Sequence, residues 1–291
     1  MTERCSTASR ARAEPLRATA STVEPFLLVE EPGPWGPAIL HSRRLPHAAR
    51  EALRDWKQRL GVRTLLIRRP GRAVPGPPQV FVANTRYGWL QTVRLPDLDA
   101  VAELDLSGIR SPDGVGLESH HEPVLLVCTH GRHDPCCAER GRPVAAALAR
   151  DWPGLVWEAS HVGGDRFAGN LVALPRGDYF GGLNAEDAPA VVEQYLAGRL
   201  DPVHHRGRSS QPWVVQAAVH EARVRFGAFG FGDVRVRERH GSRLRLAVRG
   251  REVDAVVRVS ASEAVRLTCH TGHVEPPPTY QVSLEPLDQG S

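Results

Sequence analysis

Lysine is nearly absent from this chain: Lys57 is the single lysine among 37 basic residues, in a sequence of 291 that also holds one methionine and four tyrosines. The arginines are scattered through every segment instead of forming one block with interleaved aromatics. A net charge of +4 and a pI near 9.0 therefore carry no nucleic-acid footprint, and no nucleic-acid partner is expected. No apolar run approaches the roughly eighteen residues of a membrane span, so no membrane is expected either. Met1 to Thr22 has the Arg, Ala, Ser and Thr content of a transit peptide. Its two glutamates and its lack of an apolar stretch exclude a secretory signal, and residues 1–24 read as a flexible N-terminal tail. There are five cysteines, an odd number with two adjacent and no Cys-x-x-Cys spacing. That excludes a disulfide framework and points to reduced thiols in a cytoplasm.

What is present suits a multi-domain globular protein, with 41% hydrophobic and 24% charged residues. The patterning predicts an α/β protein in three parts. Residues 25–118 form an N-terminal β-α-β-β unit: a strand at Pro25–Glu30, a helix over Leu45–Leu60 with Ala49, Leu53, Trp56 and Leu60 on one stripe, a strand at Val62–Ile67, and a hairpin across residues 84–88. Residues 119–205 open with the apolar run Pro123–Cys128. A helix at Pro143–Arg150, a strand at Leu155–Ala159, a hairpin of 170–174 with 178–182 and a helix over 187–199 follow. That order, β-α-β-β-β-α, is a reduced thioredoxin-like pattern. Residues 206–291 form a small C-terminal α+β unit: a helix over Pro212–Phe226, then alternating strands with one face of arginine turned to water. His204 and His205 are expected in a solvated loop, and Cys269, His270 and His273 as polar residues of a closing edge strand and tail.

Two loops carry chemistry. The first runs from Cys128 through Thr-His-Gly-Arg-His-Asp-Pro to the adjacent pair Cys136 and Cys137; the second is His161-Val-Gly-Gly-Asp165. Cys128 closes a strand, the position at which α/β folds place their sites. Asp134 and Pro135 read as the N-cap and first residue of a helix that begins at the cysteine pair. Two thiolates and an imidazole are a ligand set for iron or zinc, and soft thiolates with imidazole suit an iron–sulfur cluster. Gly163 and Gly164 would let backbone N–H groups approach the negative charge of such a cluster. Three chemistries are open: a 2Fe-2S cluster, a zinc site of Cys128, Cys137, His161 and Asp165, and a structural thioredoxin-like protein without a cluster. Thiol redox chemistry ranks below these, because vicinal Cys136 and Cys137 would close a strained ring.

Cys-Thr-His-Gly at 128–131, Cys137, His161-Val-Gly-Gly and Arg166-Phe-Ala-Gly-Asn170 together resemble the sucrase/ferredoxin-like family of thioredoxin-like 2Fe-2S proteins. Phe26 to Trp35 and Arg206-Gly-Arg208 are similar to bacterial members, so the resemblance spans most of the chain beyond the first residues. It implies a cluster held by Cys-x8-Cys and His-x-Gly-Gly-His, with Cys128 and Cys137 as the thiolates and His161 as the first imidazole. Asp165 stands where the second imidazole would be. Cys136, His130, His133 and Cys269 are further candidates for that fourth place. No pair of carboxylates flanking a sugar cleft is in evidence, so an electron carrier with a redox partner protein is expected, not a hydrolase.

Overall fold

The computed structural model describes residues 3–71, 76–270 and 274–286; His273 of the closing segment lies outside them. The chain runs through α1 (Cys5–Ala11), β1 (Pro25–Glu30), α2 (His47–Leu60), β2 (Arg63–Arg68), β3 (Gln79–Asn84), β4 (Trp89–Arg94) and β5 (Glu118–Ser119). It continues with β6 (Val124–Cys128), α3 (Pro135–Asp151), β7 (Val156–Ala159), β8 (Leu171–Leu174), β9 (Asp178–Phe180), α4 (Ala188–Leu196) and β10 (His205–Arg208). Then come α5 (Trp213–Phe226), β11 (Val234–His240), β12 (Arg243–Val248), β13 (Arg251–Ala261), β14 (Val265–Arg266), β15 (Val274–Glu275) and β16 (Pro278–Pro286).

The fold is mixed α/β. Its large sheet has the order β10-β9-β8-β6-β7-β2-β1-β3-β4-β5. Within it β6 and β7 are parallel, with α3 as the crossover; β8 is antiparallel to β6, β9 to β8, and α4 follows. This is the thioredoxin-like pattern expected of the central segment. β6 is buried on both faces, so it reads as a continuous apolar run. Its residues nevertheless alternate: Val124, Leu126 and Cys128 join one core, Leu125 and Val127 the core beneath α3 and α4. Strands of the first two expected units share this sheet. β2 pairs with β7 through Ile67↔Ala159 and Arg68↔Glu158, and Phe26, Leu65 and Ile67 pack in one cluster with Leu126 and Trp157.

Two expectations change. Residues 3–24 are packed rather than a flexible tail. Cys5 and Ala20 are fully buried, Thr19 N–H donates to the Arg206 carbonyl, and Val23 N–H donates to that of Ser209. Small Ala and Ser side chains let this segment lie flat against the body without leaving an amphipathic period in the sequence. The His204–His205 segment is not a solvated loop either. β10 is the edge strand of the large sheet, and buried His205 meets the carboxylate of Asp178 at 3.2 Å. The large sheet therefore extends past residue 206, and the four-stranded sheet β11-β12-β13-β16 with α5 packed on it begins later. There β11 turns its arginines outward, but the edge strand paired with β13 is β16, which begins at Pro278, and Cys269 and His270 lie between β14 and β15 instead of in an edge strand.

Arg206 is the most informative consequence of that packing. Its guanidinium is buried and donates to the carbonyls of Thr19 (2.6 Å) and Gly163 (3.0 Å), to Asn170 Oδ1 (2.8 Å) and to Thr19 Oγ1 (3.0 Å). Burial pulls its pKa down to about 10. The fork ties the N-terminal segment to the Gly163–Gly164 turn, which a point-charge ammonium cannot do. We predict that Arg206→Met costs about 3 kcal/mol or more in urea unfolding, with Arg206→Lys recovering less than half, because several buried acceptors lose a charged donor. A loss below ~1 kcal/mol would show that the fork is dispensable.

Candidate metal centre

Local sequence builds each wall of the site. Asp134 caps α3: its Oδ1 accepts from Cys136 N–H at 2.8 Å, and Pro135, which has no N–H to leave unpaired, takes the first helical position. The helix runs through Pro143 rather than starting there. Pro143 is exposed, and so is Glu139, whose carbonyl loses its donor and can turn to water. One turn beyond Cys137, Gly141 presses on the end of β6, where any Cβ would collide with the Cys128 carbonyl oxygen. That close crossing brings Cys137 over Cys128. β7, parallel to β6, delivers His161 beside them, and the left-handed glycines Gly163 and Gly164 (φ +102° and +81°) turn the chain so that Asp165 faces back into the site. The space next to these glycines is filled by Ser21 and by the Arg206 guanidinium, so their smallness is required by those neighbours.

The donor atoms of Cys128, Cys137 and His161 lie within 4.8 Å of one another, and both sulfurs are buried. Asp165 Oδ1 is 3.2 Å from Cys137 Sγ and 2.9 Å from His161 Nδ1. That second approach is an ion-pair contact without hydrogen-bond geometry, and it leaves His161 Nδ1 buried with no hydrogen-bond partner. The thiols are polarised against each other. The neighbouring Cys137 thiol, aided by His161, outweighs burial and holds Cys128 well below the usual thiol range. Cys137, whose thiol donates to Asp165 Oδ1, is pushed up by Cys128, by burial and by Asp165. Burial would lower the pKa of His161, but Asp165 and the Cys128 thiolate outweigh it and raise it to about 9. Asp165 is pushed up by burial and pulled down further by His161.

The other candidates for the fourth place separate cleanly. His130 is used up: its Nδ1 accepts from His161 N–H at 3.2 Å, which assigns the proton to Nε2, 2.6 Å from the Gly36 carbonyl. His133 stacks on His161 with ring centroids 3.8 Å apart, and its Nε2 is 3.9 Å from Asp165 Oδ2. Its donor atom lies within 4.8 Å of those of His161 and Asp165, a second grouping that shares both residues with the centre. Cys136 and Cys269 are not at this centre at all; they meet Cys5 in a separate cluster. The structure thus adds Trp35 and Ser21 to the surroundings of the site. Neither left a signal in the sequence; Trp35 packs edge-on to His130 and belongs to no motif. His130, His133 and His161 line one wall of a cleft of about 640 Å³, with Lys57, Arg63 and Ser21 on others.

A mixed α/β protein with buried thiols, an imidazole and a carboxylate gathered at the ends of parallel strands has a donor set for a thiophilic metal group. The chain belongs to the sucrase/ferredoxin-like family, whose model matches residues 16–207. Among solved structures, it is similar to two cysteine-to-serine variants of the thioredoxin-like 2Fe-2S ferredoxin from Aquifex aeolicus, at 24% and 21% identity. The similarity covers 26% of this chain and 89% of each of those, with TM-scores of 0.24 and 0.23. With scores this low, the fold assignment stands on strand topology and the family match. No curated protein matches the sequence.

Because ligands must be deprotonated, metal uptake here has a defined proton count. The surroundings favour the thiolate of Cys128 and hold Cys137 and His161 toward their protonated forms, His161 up to about 9. We predict that zinc binding releases fewer protons above pH 9 than at pH 7, by about one per ion, because His161 loses its proton near 9. The measurement is the buffer dependence of the binding enthalpy in metal-free protein lacking Cys5 and Cys269. A proton count that does not change between those pH values would contradict the raised imidazole.

Proposed function

We propose that this protein is a 2Fe-2S electron-transfer protein whose cluster is held by Cys128, Cys137, His161 and Asp165. The observation that carries this reading is the convergence of two buried thiols and the His161 imidazole, whose donor atoms lie within 4.8 Å of one another, with Asp165 Oδ1 3.2 Å from Cys137 Sγ. The family match and the donor chemistry support a 2Fe-2S cluster over a single ion. When bound, such a cluster supplies reversible one-electron transfer.

The rest is done by the chain's own residues. Cys128 and Cys137 present their sulfurs inside the core, where water is excluded. His161, 23% exposed at its side chain, reaches the cleft and can exchange a proton with solvent, so its charge can follow the redox state. Asp165 adds a negative charge where a second imidazole would add none, which favours the oxidised form. Lys57 and Arg63 at the cleft place positive charge beside His161, suited to an acidic face on a redox partner protein. Five free thiols support work in a reducing, cytoplasmic compartment. Among the described residues no helix is long and apolar enough to cross a membrane.

A zinc ion is the second reading, favoured by one observation: Asp165 Oδ1 lies within 3.2 Å of both Cys137 Sγ and His161 Nδ1, a spacing that suits a single tetrahedral ion. Metal and sulfide analysis separates the two. The cluster reading expects brown protein with about two irons and two sulfides per chain and an EPR signal on dithionite reduction; colourless, iron-free protein prepared anaerobically sinks it. The midpoint potential is expected to fall with rising pH, by up to about 59 mV per unit for one proton per electron. His161→Cys should flatten that slope. Asp165→His, which removes a negative ligand, should raise the potential by on the order of 100 mV. If Asp165→Ala leaves spectrum and potential unchanged while His133→Ala alters both, the fourth ligand is His133.

A further inference from the structure

Three cysteines take no part in the centre just described, and the fold gathers them from positions far apart in the chain. Cys5 opens α1, Cys136 is the second residue of α3, and Cys269 lies between β14 and β15. Cys136 Sγ is 3.6 Å from Cys5 Sγ and 3.5 Å from Cys269 Sγ, and Asp134 Oδ2 is 3.9 Å from Cys5 Sγ. All four donor atoms lie within 4.8 Å of one another. Three thiols cannot all pair as disulfides. A tetrahedral ion with Zn–S bonds of about 2.3 Å sets its sulfurs about 3.8 Å apart, close to the spacing seen here.

Small buried thiols can simply be packing, as in the little apolar cluster of Cys5, Cys136 and Ala168. Two features go beyond packing. Asp134 is fully buried, and among the described residues no arginine, lysine or histidine forms an ion pair with it; a carboxylate beside three thiols is costly unless a cation balances it. The carboxylate is also held in place, Oδ1 by Cys136 N–H and Oδ2 by Cys269 N–H (2.6 Å) and the Thr268 hydroxyl (2.9 Å). The Cys5 N–H in turn points at Cys269 Sγ (3.3 Å), an arrangement that stabilises a thiolate. These are the outer hydrogen bonds that orient metal ligands.

We propose that Cys5, Cys136, Cys269 and Asp134 form a second metal site that binds one tetrahedral divalent ion, zinc, separately from the centre at Cys128. On binding, each thiol gives its proton to solvent and the three thiolates with one carboxylate oxygen complete the coordination. Cys269 is partly exposed, which supplies the entry path. The bound ion fastens the segment before β1 and the segment after β14 to the first turn of α3. It thereby staples the start of the helix that carries Cys137.

The test is metal content and cobalt spectra of the full chain purified with zinc present. The parent is expected to hold zinc at this site, and to lose at least about 100-fold in zinc affinity in Cys5→Ser and in Cys269→Ser. Cys269→Ser is the milder variant because that side chain is not core, and circular dichroism confirms its fold. Iron colour should persist in both, whereas Cys128→Ser should remove the colour and leave this zinc in place. Cobalt should give an intense thiolate charge-transfer band in the parent that Cys269→Ser abolishes. Three results would overturn the site: no zinc or cobalt taken up by a folded parent, zinc retained in Cys269→Ser and lost in Cys128→Ser, or a Cys5–Cys136 disulfide in anaerobically isolated protein.

Discussion

The constraint on which the centre depends is the close crossing of α3 over the end of β6, where Gly141 leaves no room between helix and the Cys128 carbonyl. A helix capped by Asp134 and started by Pro135 can begin only at that spot, and its first turn then divides the two adjacent cysteines. Neighbouring residues on an α-helix project about 100° apart. Cys137 therefore turns toward Cys128 and Asp165, and Cys136 toward Cys5 and Cys269. One turn of helix thus feeds two thiol clusters that share no donor atom. An aspartate does the capping at one end and meets the second cluster at the other.

The electrostatics of the centre follow from burying unlike groups together. Neither thiol nor imidazole would hold its charge in this interior alone, yet Cys128 and His161 stabilise each other, and Asp165 adds to the imidazolium. The arginine fork of Arg206 serves the same region from behind. It spends its donors on backbone carbonyls and Asn170, so the Gly163–Gly164 turn is fixed without a carboxylate competing for the site. The glycines of that turn are accordingly needed for left-handed backbone and for the approach of Arg206 and Ser21.

Much of the chain was legible because local rules agree with the global fold. The strand run ending at Cys128, the cap at Asp134, the helix over residues 47–60 with its left-handed Gly61, and the alternating strands of the C-terminal sheet all form where their patterns point. Illegible parts were those with no periodicity to read. The segment before β1 is rich in small residues and polar groups, so its packing depends on surfaces supplied by residues 206–216. His205 looked like loop because only β9 and Asp178 make it a buried strand residue.

Sequence alone determined the types of candidate donor, their spacing within each loop, and the thioredoxin-like order of elements, because caps and hydrophobic periods act over a few residues. Tertiary structure alone decided which donors meet. It consumed His130 in backbone bonds, stacked His133 on His161 beside Asp165, and sent Cys136 and Cys269 to join Cys5. Spacing along a chain cannot reveal such partnerships, since the residues concerned are brought together by helix rotation and sheet order across more than a hundred positions, as with Cys5 and Cys136, 131 apart.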